Sequence, residues 1–258
     1  MRSINSRIYF FSILIISLSL ASCETYKNIP YYQDVQKGQV ITEPVNNVSA
    51  YQIRNGDILG INVTSRNPET VNTFNYNLAR VNGTSYNTSP DNPVIGYLVD
   101  ENGNIHLPLI GDQKVAGLSI SQVTKQLSAA LVTYLKDAVV NVRVVNFKVY
   151  VYGDVARPNV YSIQDEHPTI TQVLTMAGDL NITALRKKVM LIRIEDGQRK
   201  YISLDLTSKK IFDSPYFYLK NNDEIYVSPG RTKTTANLLP TIGIVISALS
   251  VVAIILTR

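Results

Sequence analysis

The chain has 258 residues, of which 45% are hydrophobic and 17% are charged. This length suffices for two modest globular domains, and the composition excludes a disordered chain. The net charge of +5 does not indicate nucleic-acid binding, because the basic residues are scattered and Arg2 and Arg7 lie in a segment expected to be removed. Sixteen tyrosines and many Val and Ile favour strands. The sequence therefore predicts a β-rich α+β protein.

The first 22 residues predict a lipoprotein signal peptide. Residues 1–7 carry two positive charges and no acid, and residues 8–20 form an apolar stretch too short for a mature membrane helix. The motif Leu20-Ala21-Ser22-Cys23 resembles a bacterial lipobox. Cys23 is the only cysteine, so it can form neither an internal disulfide nor a multi-thiolate metal site. We expect it to carry a covalent lipid; the alternative is a chance cysteine after cleavage elsewhere.

The C-terminal end is nearly all apolar from residue 238 to residue 256, which as a helix would be about 28 Å long. This matches the hydrocarbon core of a bilayer, so residues 234–257 predict a transmembrane helix, with a buried core helix as the alternative. Gly243, Ser247 and Ser250 would share one helical face. That face is a candidate pore lining or helix-contact surface, although such small residues are also common in membrane helices.

Residues 23–48 are polar and without periodicity, and they predict an extended linker to a first domain at residues 49–145. This domain opens with a turn at Asn55-Gly56-Asp57 and a strand from Ile58. Residues 66–93 are rich in Asn, Thr and Ser and predict a long loop or an irregular insertion of unassigned role. A helix is expected from Ser119, where Gln122 completes a capping box. Its apolar stripe consists of Ile120, Val123, Leu127, Leu131 and Leu135.

The second predicted domain covers residues 146–230. It begins with one long strand over residues 142–152, which breaks at Gly153-Asp154. Thr169 and Gln172 form another capping box, and Gly178 ends that helix. The remaining strands are expected at residues 189–194, 201–206 and 224–227, with Asp196-Gly197 as the turn between the first two. One helix on a mixed sheet of hairpins is the outline of a β-grasp domain.

No residue pattern in the chain indicates catalysis, a metal site or a bound cofactor other than the lipid on Cys23. Phosphate-binding and nucleophile motifs are missing from the sequence, and His106 and His167 lack ligand-like neighbours in sequence. The run Arg186-Lys187-Lys188 could meet an acidic polymer or could be a solvated surface. Six tyrosines could stack on sugars or simply belong to half-buried strands; they are Tyr150, Tyr152, Tyr161, Tyr216, Tyr218 and Tyr226.

The order of several short motifs resembles the polysaccharide biosynthesis/export family, the Wza-type outer-membrane proteins. The first domain contributes Tyr51-x-Ile53 with Gly56-Asp57, then Gly103-x-Ile105-x-Leu107-Pro108-x-Ile110-Gly111 and Gly117-Leu118. The second contributes Val149-x-Val151-x-Gly153-Asp154-Val155-x-x-Pro158, then Ala177-Gly178 and Asn222-Asp223-x-Ile225-x-Val227-x-Pro229, which resemble a soluble-ligand-binding β-grasp (SLBB) domain. This chain departs from the family at Pro158-Asn159, where Pro-Gly is usual, and at Gly178-Asp179, where two glycines are common.

The resemblance implies an export domain followed by one β-grasp domain, in a ring of identical subunits whose C-terminal helices cross the outer membrane. Such a channel conducts capsular or exopolysaccharide from the periplasm to the cell surface and is not an enzyme. The resemblance also implies an inner-membrane partner, a polysaccharide co-polymerase often coupled to a tyrosine kinase. Two alternatives remain: a carbohydrate-binding or scaffold lipoprotein anchored at the outer membrane, and a surface glycan-processing enzyme with carboxylates converging in a cleft.

Overall fold

A computed structural model describes residues 29–36, 38, 40–45, 50–66, 68–75, 79–81, 85–87, 96–195 and 197–230. Within these ranges no helix is long and apolar enough to cross a membrane. The predicted lipid site at Cys23 and the predicted span at residues 234–257 lie outside the described residues. Those residues contain more strand than helix, and they form two hydrophobic cores. The expectation of a β-rich mixed fold is therefore confirmed.

Three α-helices and twelve strands are described. The helices are α1 (Pro68–Phe74), α2 (Ile120–Leu131) and α3 (Ile170–Met176), and a 3-10 helix spans Lys209–Asp213. The strands are β1 (Ile58–Thr64), β2 (Ala79–Val81), β3 (Ser85–Asn87), β4 (Tyr97–Leu98), β5 (Asn104–Leu107), β6 (Gly111–Lys114), β7 (Val139–Val144), β8 (Lys148–Gly153), β9 (Asn159–Ser162), β10 (Ala184–Glu195), β11 (Gln198–Leu204) and β12 (Glu224–Pro229).

The first unit, residues 50–145, is organised around strand β1. This strand lies between β4 and β7 and is antiparallel to both. Leu59, Ile61 and Val63 alternate along it and are fully buried, as expected for a strand with one face on a core. The buried positions of α2 join the same core. Ser119 and Gln122 form the predicted capping box, so the predicted start of this helix is confirmed.

The second unit, residues 146–230, contains a five-stranded sheet in the order β11-β10-β12-β8-β9. Strands β8 and β12 are parallel, and every other neighbouring pair is antiparallel. Helix α3 packs on one face of this sheet, with Ile170, Val173 and Leu174 buried. Its capping box at Thr169 and Gln172 is present as predicted. The described elements therefore have the expected outline of one helix on a mixed sheet.

The prediction of one long strand over residues 142–152 is wrong. The segment forms two strands, β7 and β8, which belong to different sheets. Asn146 lies between them, and its side chain accepts a hydrogen bond from the Ile58 amide at 2.8 Å and donates to the Gly56 carbonyl at 2.9 Å. Phe147 then enters the second core. The buried positions also change phase here, from Val140 and Val142 in β7 to Val149 and Val151 in β8. The sequence analysis treated the segment as one alternating strand and so did not show this change of sheet.

The prediction of a long loop or irregular insertion at residues 66–93 missed short regular elements in its described part. Helix α1 and the β2–β3 hairpin occupy it. Asn75, which follows the helix, accepts from the Val63 amide at 2.9 Å and donates to the Val63 carbonyl at 2.8 Å. Phe74 is fully buried, and its carbonyl accepts from the Tyr97 hydroxyl at 2.6 Å. A helix of seven residues is too short to leave a clear periodic pattern.

Residues 29–36 of the predicted linker lie against the second unit, although the first unit follows them in sequence. The Gln33 amide donates to the Thr207 carbonyl at 2.6 Å, and Asp34 accepts from the Ser208 hydroxyl at 2.5 Å and the Lys209 amide at 2.6 Å. The Tyr32 ring lies 4.9 Å from that of Phe212. The chain therefore contacts its C-terminal unit before it enters the first one.

Gly153 lets β8 approach β12 closely, and a substitution at this position tests that packing. Its φ of +101° is unfavourable for other residues, and a Cβ there would collide with the Val227 carbonyl oxygen. Gly153→Ala is expected to lower the free energy of unfolding by at least about 3 kcal/mol, because the collision adds to the backbone strain. Gly197→Ala is the matched control, since φ there is +72° but the surroundings are open; it should cost about 1 kcal/mol. Equal losses in urea unfolding would contradict this explanation.

Candidate functional site

Asp57, of the Gly56-Asp57 motif, lies at the junction of the two units and is 2% exposed. It accepts hydrogen bonds from the Tyr51 hydroxyl at 2.8 Å and the Arg54 amide at 2.9 Å, both in the first unit. Asn221 of the second unit donates to its other oxygen at 3.0 Å. Burial and the neighbouring carboxylate raise the pKa of Tyr51, so the phenol stays protonated and donates.

Asn221 continues this connection into the second sheet. Its side-chain oxygen accepts from the Lys148 amide at 3.0 Å, at the first residue of β8. Tyr51 also packs on Phe147 across the junction, with ring centroids 5.6 Å apart. The two units are thus joined by directional hydrogen bonds and an aromatic contact, which fix their relative orientation.

A second buried carboxylate, Asp223, pairs with Arg193. The guanidinium donates to both oxygens, at 2.9 and 2.6 Å, and the two side chains are 1–2% exposed. Asp223 also accepts from the Lys220 amide at 2.7 Å, and Arg193 donates to the Tyr218 carbonyl at 3.0 Å. A bidentate pair with these further bonds satisfies both charges inside the core. Neither side chain is available to an external ligand.

The third motif carboxylate, Asp154, is fully buried after β8. It accepts from Asn181 at 2.9 Å and from the Thr183 hydroxyl at 2.6 Å. All three motif carboxylates are therefore engaged within the protein. Their role in this structure is to hold turns and neighbouring segments in place, which the sequence motifs alone did not reveal.

An open cleft of about 380 Å³ lies beside the junction. Its lining includes Tyr51, Phe147 and His167, and an adjoining recess of about 170 Å³ shares Tyr51, Glu166 and His167. Aromatic rings and charged groups therefore meet there, as they do in sites for polar ligands with apolar faces. His167 lies edge-on to Tyr218, with ring centroids 6.3 Å apart. The sequence did not predict this cleft, because its walls come from distant segments.

His106 lies on the exposed β5–β6 hairpin, where Asp112 is its cross-strand partner. The ring contacts Asp112 through Nδ1, and its Nε2 lies 3.5 Å from Asp100. Sequence spacing gave no indication of these carboxylates, because the hairpin pairing creates the contact. No cluster of three or more metal-ligating side chains that could hold a metal ion occurs among the residues that the structure describes.

The sheet of the second unit presents an outer face opposite α3 that is rich in tyrosine; we call it the tyrosine face. The buried residues of β8, β10 and β12 alternate with its members, so these point away from the core. Tyr152 and Tyr226 are cross-strand neighbours with ring centroids 5.4 Å apart. Two rows cross the strands: Tyr201, Ile192, Glu224, Tyr150 and Val160 in one, and Ser203, Met190, Tyr226 and Tyr152 in the other.

Three of the six tyrosines singled out in the sequence belong to the tyrosine face, and three do not. Tyr161, Tyr216 and Tyr218 pack against the second core instead. Tyr201 was missed by the sequence analysis, yet it is 64% exposed, compared with 38% for Tyr152. Only the register of β10 against β11 shows that it extends the same face.

The three residues of the basic run at 186–188 differ in exposure. Arg186 is 5% exposed and donates to the carbonyls of Asn181 and Leu180, at 3.2 and 3.1 Å. Its guanidinium also lies 5.4 Å from the Tyr31 ring centroid. Lys187 and Lys188 are exposed beside a register shift in β10. The three side chains therefore do not form one continuous basic patch.

The predicted site residues Cys23, Gly243, Ser247 and Ser250 lie outside the described residues. Comparison with known proteins gives independent information on the chain. Residues 45–145 match the family model described as polysaccharide biosynthesis/export protein. The EPS I polysaccharide export outer membrane protein EpsA of Ralstonia solanacearum is 32% identical over 190 residues, which cover 69% of this chain and 48% of that protein.

The protein of the same name from Ralstonia nicotianae is 32% identical over 188 residues, covering 69% of this chain and 47% of that protein. The chain thus spans about half the length of the curated relatives it matches. The match over residues 45–145 and the similarity to both relatives confirm the resemblance to the polysaccharide biosynthesis/export family that the sequence motifs indicated. This family is one of export proteins and not of enzymes.

Asp57→Asn tests the junction. The amide keeps one acceptor oxygen, but its NH2 group would face either the Asn221 donor or the Tyr51 and Arg54 donors. The variant is therefore expected to lose about 2–3 kcal/mol of unfolding free energy. Asp112→Asn is the control, because that side chain is 65% exposed and its pair with His106 should contribute under about 1 kcal/mol. Urea unfolding of both variants would measure this. Similar losses would show that Asp57 does not hold the junction.

Glu195 gives a pH-dependent test, because it joins Arg54 of the first unit to Lys200 and Lys220 of the second. Bonds from the two lysines lower its pKa from 4.5 to about 2. A lowered folded-state pKa means that ionised Glu195 stabilises the fold above pH 4.5 and that this stabilisation is lost as the pH falls from 4.5 to about 2.

Glu195→Gln is therefore expected to cost about 1 kcal/mol at pH 7, and its difference from the original protein should shrink over that acid range. Glu101→Gln, at an exposed position of the first unit, controls for the loss of one negative charge. Urea unfolding at several pH values measures both variants. A Glu195→Gln deficit that stays constant across the acid range down to about pH 2 would refute the assignment.

Proposed function

We propose that this chain, whose residues 45–145 are a polysaccharide biosynthesis/export region, is a subunit of an outer-membrane channel for capsular or exopolysaccharide. The channel would conduct the polymer passively from the periplasm to the cell surface. The observation that carries the proposal is the family match over the first unit, since both similar relatives are named polysaccharide export outer membrane proteins.

The described structure supports a framework role for the three motif carboxylates and not a catalytic one. Asp57, Asp154 and Asp223 are buried and hydrogen-bonded within the protein. A glycan-processing site would need carboxylates that reach the substrate with tuned proton affinities. We therefore assign these motif residues to the framework of the subunit.

The proposed subunit consists of an export domain at residues 49–145 and an SLBB β-grasp domain at residues 146–230. Two anchors would hold it at the outer membrane: a lipid on Cys23, and a transmembrane helix at residues 234–257. Gly243, Ser247 and Ser250 would line the contact or pore face between identical helices, because small side chains let helices approach closely in lipid. The inner-membrane partner would be a polysaccharide co-polymerase coupled to a tyrosine kinase.

A carbohydrate-binding or scaffold lipoprotein is the second candidate function, and the tyrosine face favours it. Tyrosine rings combine an apolar face with a hydroxyl, and Tyr152 donates to Glu224 at 3.0 Å. Such a surface suits a sugar polymer, whose pyranose rings have apolar C–H faces. A lipoprotein of this kind would need neither a ring nor a pore, so its oligomeric state separates it from the channel.

The channel proposal predicts that the full-length protein, extracted in detergent, forms a ring with a closed membrane end. A chain shortened to end at Lys233 should lose that end, because the apolar helices that would build it are missing. Light scattering gives the mass, and electron microscopy shows the shape. Monomers in both preparations would contradict the channel and favour the carbohydrate-binding lipoprotein.

Gly243→Leu should weaken the ring of the full-length protein, because a large side chain would separate the small-residue faces. Ile244→Leu is its matched control, since that position lies on another face of the helix and changes little in volume. If both substitutions had equal effects, the face of Gly243, Ser247 and Ser250 would not be the helix contact. This outcome would say nothing about the lipid anchor.

A further inference from the structure

The two ends of the described chain meet the second unit at the same segment, residues 178–186, which comprises the loop after α3 and the first residues of β10. On the N-terminal side, the Tyr31 hydroxyl donates to Asp179 and the Arg186 guanidinium lies over the Tyr31 ring. On the C-terminal side, the Gly230 amide donates to the Thr183 carbonyl at 2.7 Å. Both routes out of the folded protein therefore begin beside one short segment.

Short stretches of chain separate these contacts from the two proposed anchors. Six residues lead from Cys23 to residue 29, which extended reach about 20 Å. Four residues lead from Gly230 to residue 234, which reach about 14 Å. An anchor at either position would keep this loop near the membrane surface, and the two together would turn it toward that surface.

The exposed side chains of this region suit a membrane interface. Ile182 is 71% exposed and Leu185 is 39% exposed, and Leu185 lies next to Gly230. Lys187 and Lys188 follow closely and are exposed. Apolar side chains beside lysines are the combination that enters the headgroup region of a bilayer and attracts anionic lipids.

The acidic neighbours are occupied by the protein itself. Asp179 accepts from Tyr31 and from the Leu180 amide, and Asp205 accepts from the Thr207 amide and hydroxyl at 2.8 and 2.6 Å. Their charges reduce the local positive potential, but within the described ranges they do not pair with Lys187 or Lys188 at salt-bridge distance. The two lysines can therefore contact phosphate groups.

We propose that Ile182, Leu185, Lys187 and Lys188 form a membrane-contact patch that docks on anionic phospholipid headgroups. The patch would orient the second unit toward the bilayer and the first unit away from it. This inference rests on the proposed function, because the lipid on Cys23 and the helix at residues 234–257 bring the loop to the membrane. It adds a lipid-binding surface on the folded part of the protein.

The chain contains no tryptophan, so a single introduced tryptophan reports on one position. Ile182→Trp would be compared with Val139→Trp, an exposed position (66%) on β7 of the first unit. Each full-length lipidated variant is reconstituted in vesicles of phosphatidylcholine and phosphatidylglycerol, with and without brominated acyl chains. We expect blue-shifted emission and strong quenching by the brominated lipid for the Ile182→Trp variant, and neither effect for the Val139→Trp variant.

Flotation of the same vesicles distinguishes a failure of the proposed anchors from a failure of the proposed patch. A protein that floats with the lipid while its Ile182→Trp emission is unquenched would overturn the patch and leave the anchors in place. A protein that does not float would overturn both the anchors and the patch. The double variant Lys187→Gln, Lys188→Gln, made with Ile182→Trp, should lose quenching in vesicles containing phosphatidylglycerol. Unchanged quenching there would overturn the role of the two lysines.

Discussion

The hydrogen bonds around the buried Asp57 carboxylate fix how the two units of this protein are arranged. One oxygen serves the first unit through Tyr51 and Arg54, and the other receives Asn221 from the second. A buried charge is tolerated only when its oxygens are satisfied, so these donors must remain in place as long as the protein is folded. The cleft lined by Tyr51, Phe147 and His167 exists only because this junction sets the two units at one angle.

The second unit has two very different faces, and this difference determines what it can bind. Helix α3 and the motif residues Asp154 and Asp223 occupy the inner side, where both acids have their partners. The outer side keeps its tyrosines in contact with water. A sheet that is covered on one face alone leaves the other for a ligand, a neighbouring subunit or a polymer.

The segment at residues 29–36 gives the second unit a structural role that its place in the sequence does not suggest. It lies against residues 206–209 and beside the loop from which the C-terminal residues also leave. The chain thus contacts the second unit both before and after it forms the first unit. A force transmitted from either proposed anchor would act on this unit before it reached the first one, and the Asp57 junction would carry it onward.

The sequence by itself determined the local features of this protein. These features depend only on residues that are close in sequence. They are the capping boxes at Ser119 and Thr169, the turns at glycine and the alternation of buried residues in β1. Tertiary structure alone decided that residues 142–152 divide between two sheets, that Tyr201 joins the tyrosine face, and that Arg186 is buried. Each of these depends on partners far away in the chain, and local sequence patterns do not reveal which distant segments will meet.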